Sequence, residues 1–226
     1  MEKKSRMKIG LFGGTFNPIH IGHLRAAEEL REILQLEKIY FIPASVPPLK
    51  DLKNIASPSH RLRMVEIAIE ENPFFQSSDV ELKREGPSYT IDTLRFFSSK
   101  FPEFELCFIL GSELFSEIDS WKEYNKLFEL THFAVITRPG FSKNLLPSLP
   151  LALKDDFIYH SDEHNLIVYL HKTSKTLALV QIEGIQVSST QIRDLIYKNK
   201  SIKYLVPKEV ERYIFDHNLY KKEAPQ

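Results

Sequence analysis

The sequence predicts an α/β fold, a doubly wound parallel sheet with helices on both faces. Three observations point there. Short apolar runs such as IGLF, IYFI and LCFIL recur along the chain, bounded by glycine, proline or charged residues, as buried parallel strands are. Stretches with apolar residues at helical spacing lie between them, which gives the alternation expected of βαβ units. At 13–23 (GGTFNPIHIGH) and 187–193 (VSSTQIR) a strand hands over to a helix start, where unpaired amides and the positive end of the helix dipole collect. With 226 residues and 42% hydrophobic content the chain can bury a full core, so 1–226 reads as one domain.

The first strand, Ile9 to Phe12, ends at Gly13-Gly14, where the backbone can come close to a ligand. Thr15, Phe16, Asn17 and Pro18 follow, and a helix begins near Ile21. His20 stands at its mouth and His23 in its first turn, three, four and seven residues before Ala26, Ala27 and Leu30. That spacing puts His23 at the open end of the stripe that packs the helix on the sheet. Two imidazoles beside a helix N-terminus suit an anion, and in open α/β sheets ligands lie off the carboxyl ends of the strands; phosphate is the natural guess.

Lys38 to Ala44 forms a second strand, followed by a proline-marked loop, SVPPLKDLKN, from which Lys50 can reach a phosphate or carboxylate. Ser57-Pro58 caps a helix through Glu70 with Leu62, Val65 and Ile69 inward. Phe74 to Arg84 is expected as a strand. A helix from about Ser88 then stops before Pro102 and offers free amides near Tyr89 and Thr90. Glu105 to Leu110 is the next strand, with Gly111-Ser112-Glu113 at its carboxyl end. Trp121, the only tryptophan, follows. His132 to Arg138 is a further strand and ends in RPGF. Residues 142–175 are the least regular, with one strand-like run, LIVYLH; His160, His164 and His171 are too irregularly spaced for metal ligands. Leu177 to Val187 is the last expected strand. Ser188 and Gln191 have capping-box spacing, so Ser188, Ser189 and Thr190 open a helix on which Arg193 lies one turn past Ser189, a second mouth for phosphate. A final amphipathic helix, Pro207 to Tyr220, presents Val210, Tyr213, Ile214 and His217 on one face.

Thirty basic and thirty acidic residues cancel, so no global field favours nucleic acid or an anionic membrane, and phosphate binding is expected to be local. Cys107 alone provides no disulfide framework and no cysteine metal site, as suits a reducing cytoplasm. Residues 1–7 read as a short charged tail, and the apolar run after them is too short for a signal peptide or a membrane span.

GGTFNPIHIGH resembles the T/H-x-G-H nucleotidyltransferases, and the form GGTF-x-PIH-x-GHL is most similar to the bacterial nicotinate-nucleotide adenylyltransferases. VSSTQIR resembles the I-S-S-T-x-I-R signature of the same family. The resemblance runs from Lys8 to about Ile196 and implies a Rossmann-like fold that transfers AMP from ATP to nicotinate mononucleotide, giving nicotinate adenine dinucleotide and pyrophosphate. It implies that Gly13, Gly14, Thr15, Phe16, His20 and His23 meet ATP, and that Ser188, Ser189, Thr190 and Arg193 hold its phosphates. Gly111, Ser112 and Glu113 match the family's G-[AS]-D near the ATP ribose, with Glu113 one methylene longer. Ser88 to Leu94 matches S-Y-T-x-D-T-L, which receives the nicotinate end at Tyr89 and Thr90, and Trp121 matches the tryptophan that walls the pyridine ring. Asn17 stands where most members carry Asp, and PPLK with Lys50 replaces PPHK; both positions are implied on the substrate side.

No Ser, Cys or Lys in these motifs has an adjacent base, so the substrate's 5′-phosphate is expected to attack the α-phosphorus directly, with His20, His23 and Arg193 as the catalytic groups. Mg²⁺ is expected to ride on ATP rather than in a protein cage. The expected partners are ATP and nicotinate mononucleotide, with no nucleic acid and no membrane, and the reading leaves room for a homo-oligomer. Two alternatives stay within the superfamily, a nicotinamide mononucleotide or a phosphopantetheine adenylyltransferase; PSYTIDTL and Trp121 argue against the latter. A non-catalytic nucleotide-binding regulator would not need His20, His23 and Arg193 together. A class I aminoacyl-tRNA synthetase would need a longer chain and a lysine-bearing second signature.

Overall fold

The computed structural model describes residues 7–47, 55–137, 149 and 151–221. Lys50 and the RPGF turn therefore lie outside the described residues. The strands are β1 (Lys8–Gly14), β2 (Leu36–Pro43), β3 (Phe75–Ser77), β4 (Glu105–Gly111), β5 (His132–Thr137), β6 (Phe157–Glu163), β7 (Leu166–His171) and β8 (Thr176–Gln181), in the sheet order β3-β2-β1-β4-β5-β8-β7-β6. Helices α1 (Ile21–Leu34), α2 (Pro58–Ile69), α3 (Thr90–Lys100), α4 (Ser112–Phe115), α5 (Tyr124–Leu130), α6 (Leu151–Lys154), α7 (Ser189–Tyr197) and α8 (Lys208–Asp216) alternate with them. Among the described residues no helix is long and apolar enough to cross a membrane.

The expected α/β sheet is present and mostly parallel: β1 pairs β4, β4 pairs β5 and β5 pairs β8 in parallel. One edge departs from the parallel arrangement, because β7 runs antiparallel to both β6 and β8. The links between them are too short for a crossover. His164 and Ser174, both at positive φ, turn the chain back instead. β6 was not expected, since past Phe157 its residues are largely exposed and carry no apolar alternation.

Other boundaries shift for local reasons. Only Phe75–Ser77 of the 74–84 segment is a strand; Lys83 N–H donates to the Asp79 carbonyl and wraps the charged residues into a turn. β8 stops at Gln181, shortly before Gly184 at φ +56. α3 starts at Thr90 because Ser88 is buried and its hydroxyl accepts from Ser45 N–H at 2.8 Å. α8 ends at Asp216; Val210 and Ile214 are its buried residues, while Tyr213 and His217 stack on each other at 4.0 Å.

The chain divides into two compact units that interleave in sequence. The first comprises Met1–Gly13, Glu29–Tyr40 and Tyr89–Glu183. Its core is aromatic, with Phe128 and Phe133 at 4.5 Å and Phe108 and Phe115 beside Phe133. Cys107 is buried here, and desolvation pushes its thiol up to about 12. At the amino ends of the parallel strands His132 Nδ1 accepts from Thr176 N–H at 3.0 Å, and its Nε2 is buried with no hydrogen-bond partner, 3.7 Å from Glu105.

The second unit comprises Gly14–Glu28, Phe41–Ser88 and Gly184–Gln226. Ser57 caps α2 as expected, its hydroxyl accepting from His60 N–H, and Pro58 opens the helix. The inward face differs: Leu62 is only half-buried, and Arg61, Met64, Val65 and Ile69 are the buried residues. Arg61 is fully buried. Its guanidinium donates to the carbonyls of Ala56 (2.9 Å), Thr15 (2.8 Å) and Ser45 (3.0 Å). Desolvation pulls its pKa below the usual arginine value, with Tyr220 and Glu81 acting against that.

Two outcomes follow. Burial lowers the His132 pKa from 6.5 to about 4, so the unfolded chain takes up this proton before the folded one does. Stability is complete above about pH 6.5 and falls as the pH drops towards 4, by about 3 kcal/mol at 1.36 kcal/mol per unit. His132→Asn should remove that component from urea midpoints measured across this range; an unchanged slope would show that His132 does not set it. Arg61→Met leaves three carbonyls without their donor and should cost about 3 kcal/mol, roughly 6–12 °C in melting temperature. Arg61→Lys should rescue little, since a point ammonium cannot serve three directions at once. A melting point within a degree of wild type would defeat this account.

Candidate active site

In the second unit the first signature builds its geometry from the turn outward. Phe16 sits at φ +47, the left-handed region where a bulky residue is a genuine outlier. A Cβ at Gly14 would lie 2.9 Å from the Phe16 ring, so this position has to be glycine if the ring is to fold inward. Buried there, Phe16 meets His23 edge-on at 5.1 Å and Phe41 at 5.8 Å.

His20 is buried and His23 half-buried, their rings stacked at 3.6 Å. The two cap each other's backbone: His20 N–H donates to His23 Nδ1 at 3.3 Å, and His23 N–H is shared between the His20 carbonyl at 2.9 Å and His20 Nδ1 at 3.3 Å. A backbone N–H can only donate, so each Nδ1 is an acceptor, and a neutral ring must carry its proton on Nε2. The helix start thus holds two imidazoles whose Nδ1 atoms are acceptors and whose Nε2 atoms carry the proton. Gly22 permits the stacking, since a Cβ there would lie 3.1 Å from His20 Nδ1, 3.1 Å from the Ile185 carbonyl and 2.9 Å from Val187.

The second signature docks on the first within the same unit. Ser188 caps α7, accepting from Gln191 N–H at 3.1 Å, as its spacing predicts. Ser189 Oγ donates to the Pro18 carbonyl at 2.8 Å, and Arg193 Nη1 to the Asn17 carbonyl at 2.8 Å. The other arm of the guanidinium, Nη2, donates to Thr190 Oγ1 at 3.3 Å. The Ser189 hydroxyl and one arm of Arg193 therefore join the two motifs. Asn17 is buried, and its Oδ1 accepts from Ala56 N–H (3.0 Å) and from the Tyr220 hydroxyl (2.8 Å).

In the first unit Gly13 and Gly111 lie at the carboxyl ends of β1 and β4. Gly111 is the N-cap of α4, Ser112 is buried, and the carboxylate of exposed Glu113 folds back so that Oε2 is 3.0 Å from a Cβ placed on Gly111. Half-buried Trp121 packs edge-on against Phe108 at 6.1 Å, and Phe108 lies 3.1 Å from a Cβ placed on Gly13. Tyr89 is the N-cap of α3 and contributes no side-chain cap, so its helix start relies on other partners for the amides near Thr90. Lys122 Nζ lies 4.6 Å over the Tyr89 ring and 3.2 Å from Asp92, which draws Tyr89 and the Trp121-Lys122 segment together. Arg95 and Lys126 bind Glu123 beside them, chiefly Arg95, and hold its carboxyl at about 2.

Sequence reasoning missed Arg61, Lys122 and Tyr220. Only Arg61 carried a signal, an arginine falling on the buried stripe of an otherwise apolar amphipathic helix. Among the described residues no group of three or more His, Cys, Asp or Glu is placed to hold a metal ion.

Residues 11–195 match the cytidylyltransferase-like family model. A protein of Geotalea daltonii named "Probable nicotinate-nucleotide adenylyltransferase" is 44% identical over 215 residues, covering 95% of this chain and 98% of its own. One of the same name from Syntrophotalea carbinolica is 40% identical over 216 residues, with the same coverage. Among solved structures, Plasmodium falciparum nicotinic acid mononucleotide adenylyltransferase complexed with NaAD superposes with a TM-score of 0.71 at 22% identity, covering 95% of this chain and 97% of that one, a likeness of fold. The same enzyme complexed with APC gives 0.69 at the same identity and coverage. With two signatures in order and relatives of this identity matched along nearly their whole length, the chain belongs to the nicotinate-nucleotide adenylyltransferase family of cytidylyltransferase-like proteins.

Proposed function

We propose that His20, His23 and Arg193 carry the transfer of AMP from ATP to nicotinate mononucleotide, the family's step in NAD biosynthesis. The observation that supports this assignment is the pair of mutually capped histidines at the start of α1, tied to the start of α7 by Ser189 and Arg193. A 5′-phosphate oxygen of the mononucleotide attacks the α-phosphorus of ATP in line. The bond to the bridging oxygen of pyrophosphate breaks, and that oxygen leaves with the electron pair. The nucleophile is already an anion, so no base is required; the protein's part is to position the phosphates and to meet the charge that grows on them. The Nε2–H groups of His20 and His23 serve that charge, with Arg193 and the amides at Ser189 and Thr190 on the departing pyrophosphate. Gly13, Gly14, Thr15 and Phe16 shape the ATP side, and Gly111, Ser112 and Glu113 its ribose. Mg²⁺ enters on ATP as part of the substrate. Asn17, Lys50, Tyr89, Thr90 and Trp121 serve the mononucleotide, and the chain acts as a single nucleotidyltransferase domain.

A coupled assay for pyrophosphate release across candidate mononucleotides tests the reaction. His23→Ala should lower turnover about 10²–10³-fold with folding nearly intact, as removal of one oxyanion donor does. A variant that melts several degrees lower yet keeps its rate would make His23 a packing residue. The acid should also be preferred to the amide. A helix N-terminus favours an anion by about 0.3–1 kcal/mol, and an amide that leaves a donor unpaired loses on the order of 1–3 kcal/mol more. Together these give a preference of roughly 10–10³-fold in kcat/KM. Trp121→Ala should weaken both substrates alike and leave the ratio unchanged, because stacking does not sense the carboxylate. Equal kcat/KM for acid and amide would remove the α3 start from the pyridine site.

A further inference from the structure

The turn between Gly14 and His20 is held by groups brought from distant parts of the sequence. Arg61 donates to the Thr15 carbonyl, Ala56 N–H and the Tyr220 hydroxyl donate to Asn17 Oδ1, Arg193 donates to the Asn17 carbonyl, and Ser189 donates to the Pro18 carbonyl. Tyr220 is the most distant of these, beyond the end of α8. Asn218 and Tyr220 both adopt positive φ, at 52° and 63°, a conformation disfavoured for side chains other than glycine. Leu219 N–H donates to the Ile214 carbonyl at 3.0 Å, which folds this segment back on α8. Asn218 with that bond forms a Schellman end to α8, and Tyr220 just beyond it brings one hydroxyl to one side-chain oxygen.

The direction of that bond is fixed. Ala56 N–H can only donate, so the Asn17 atom that faces it is oxygen, and the Tyr220 hydroxyl must be a donor as well. Burial raises the Tyr220 pKa well above the usual tyrosine value against the pull of Arg193 and Arg61, so the hydroxyl keeps its proton. Asn17 in turn lies three residues before His20, and its carbonyl takes one arm of Arg193.

We propose that Tyr220 is a positioning residue for AMP transfer: through Asn17 it fixes the turn that sets the stacking and tautomers of His20 and His23. This rests on the reaction assigned above. Tyr220 touches the positioning network and not the reacting atoms, so its loss acts through misalignment of the histidines. Such misplacement lowers turnover more than it lowers substrate affinity.

Tyr220→Phe keeps the ring and removes only the donor. In pyrophosphate-release assays its kcat should fall about tenfold with KM for ATP and mononucleotide within about twofold. Asn17→Ala should lose at least as much, and the double variant should be no worse than Asn17→Ala alone, since both act on one bond. In the substrate-free protein, the imidazole ¹⁵N resonances of His20 and His23 should move in Tyr220→Phe while the melting temperature changes by no more than about 3 °C. Unmoved resonances with kcat within twofold of wild type overturn the role of Tyr220, as do additive losses in the double variant or an activity loss matched by global destabilisation. A wild-type protein that releases no pyrophosphate with the acid mononucleotide overturns the assigned reaction instead, and the resonances report on the turn without any substrate.

Discussion

The second unit depends on one buried cation. Arg61 occupies an inward position of α2 that an apolar residue would ordinarily fill, and its guanidinium serves the carbonyls of Thr15, Ser45 and Ala56. These belong to irregular backbone, where no strand or helix partner among the described residues takes the carbonyl, and a carbonyl withdrawn from water must find a donor somewhere. Arginine answers three such needs because its donors diverge in one rigid plane. The cost is desolvation of the charge, seen in its depressed pKa, and the carbonyl dipoles offset it.

Around this anchor the turn that leads into α1 is fixed rather than merely nearby. The turn is held at Thr15 by Arg61, at Asn17 by Ala56, Tyr220 and Arg193, and at Pro18 by Ser189. Phe16, in a left-handed conformation, is wedged between Phe41 and His23. An electrostatic catalyst needs this order of fixity, because donors already in place spend nothing on reorganisation when charge develops. Ser189 and Arg193 join the signatures, and the proposed function gives both a second duty towards phosphate.

The signatures were legible because their chemistry is local: glycines, cap residues and histidines within a few positions declare a turn and a helix start on their own. The parallel strands were legible for a similar reason, each being an apolar run buried on both faces. What escaped depends on distant partners. β6 shows only Phe157 buried and has no pattern of its own; it exists because β7 offers an edge to pair with. The strand expected over Phe74 to Arg84 failed because Asp79 to Lys83 close a turn among themselves. Tyr220 was expected as the end of the last helix, yet the helix ends at Asp216 and the Tyr220 hydroxyl reaches Asn17. Asn17 read as a departure from the family's Asp, and its oxygen supplies an acceptor that an Asp carboxylate could also provide.

The mutual capping of His20 and His23 bears on how this sequence can vary. Each ring supplies the acceptor for the other's backbone N–H, so neither side chain is an independent feature. A substitution at one position takes the side-chain acceptor away from the other residue's backbone N–H, while the remaining imidazole still accepts from the substituted residue's own N–H. The two positions are therefore coupled through the backbone of the helix start, so that a second change meets a turn already altered by the first.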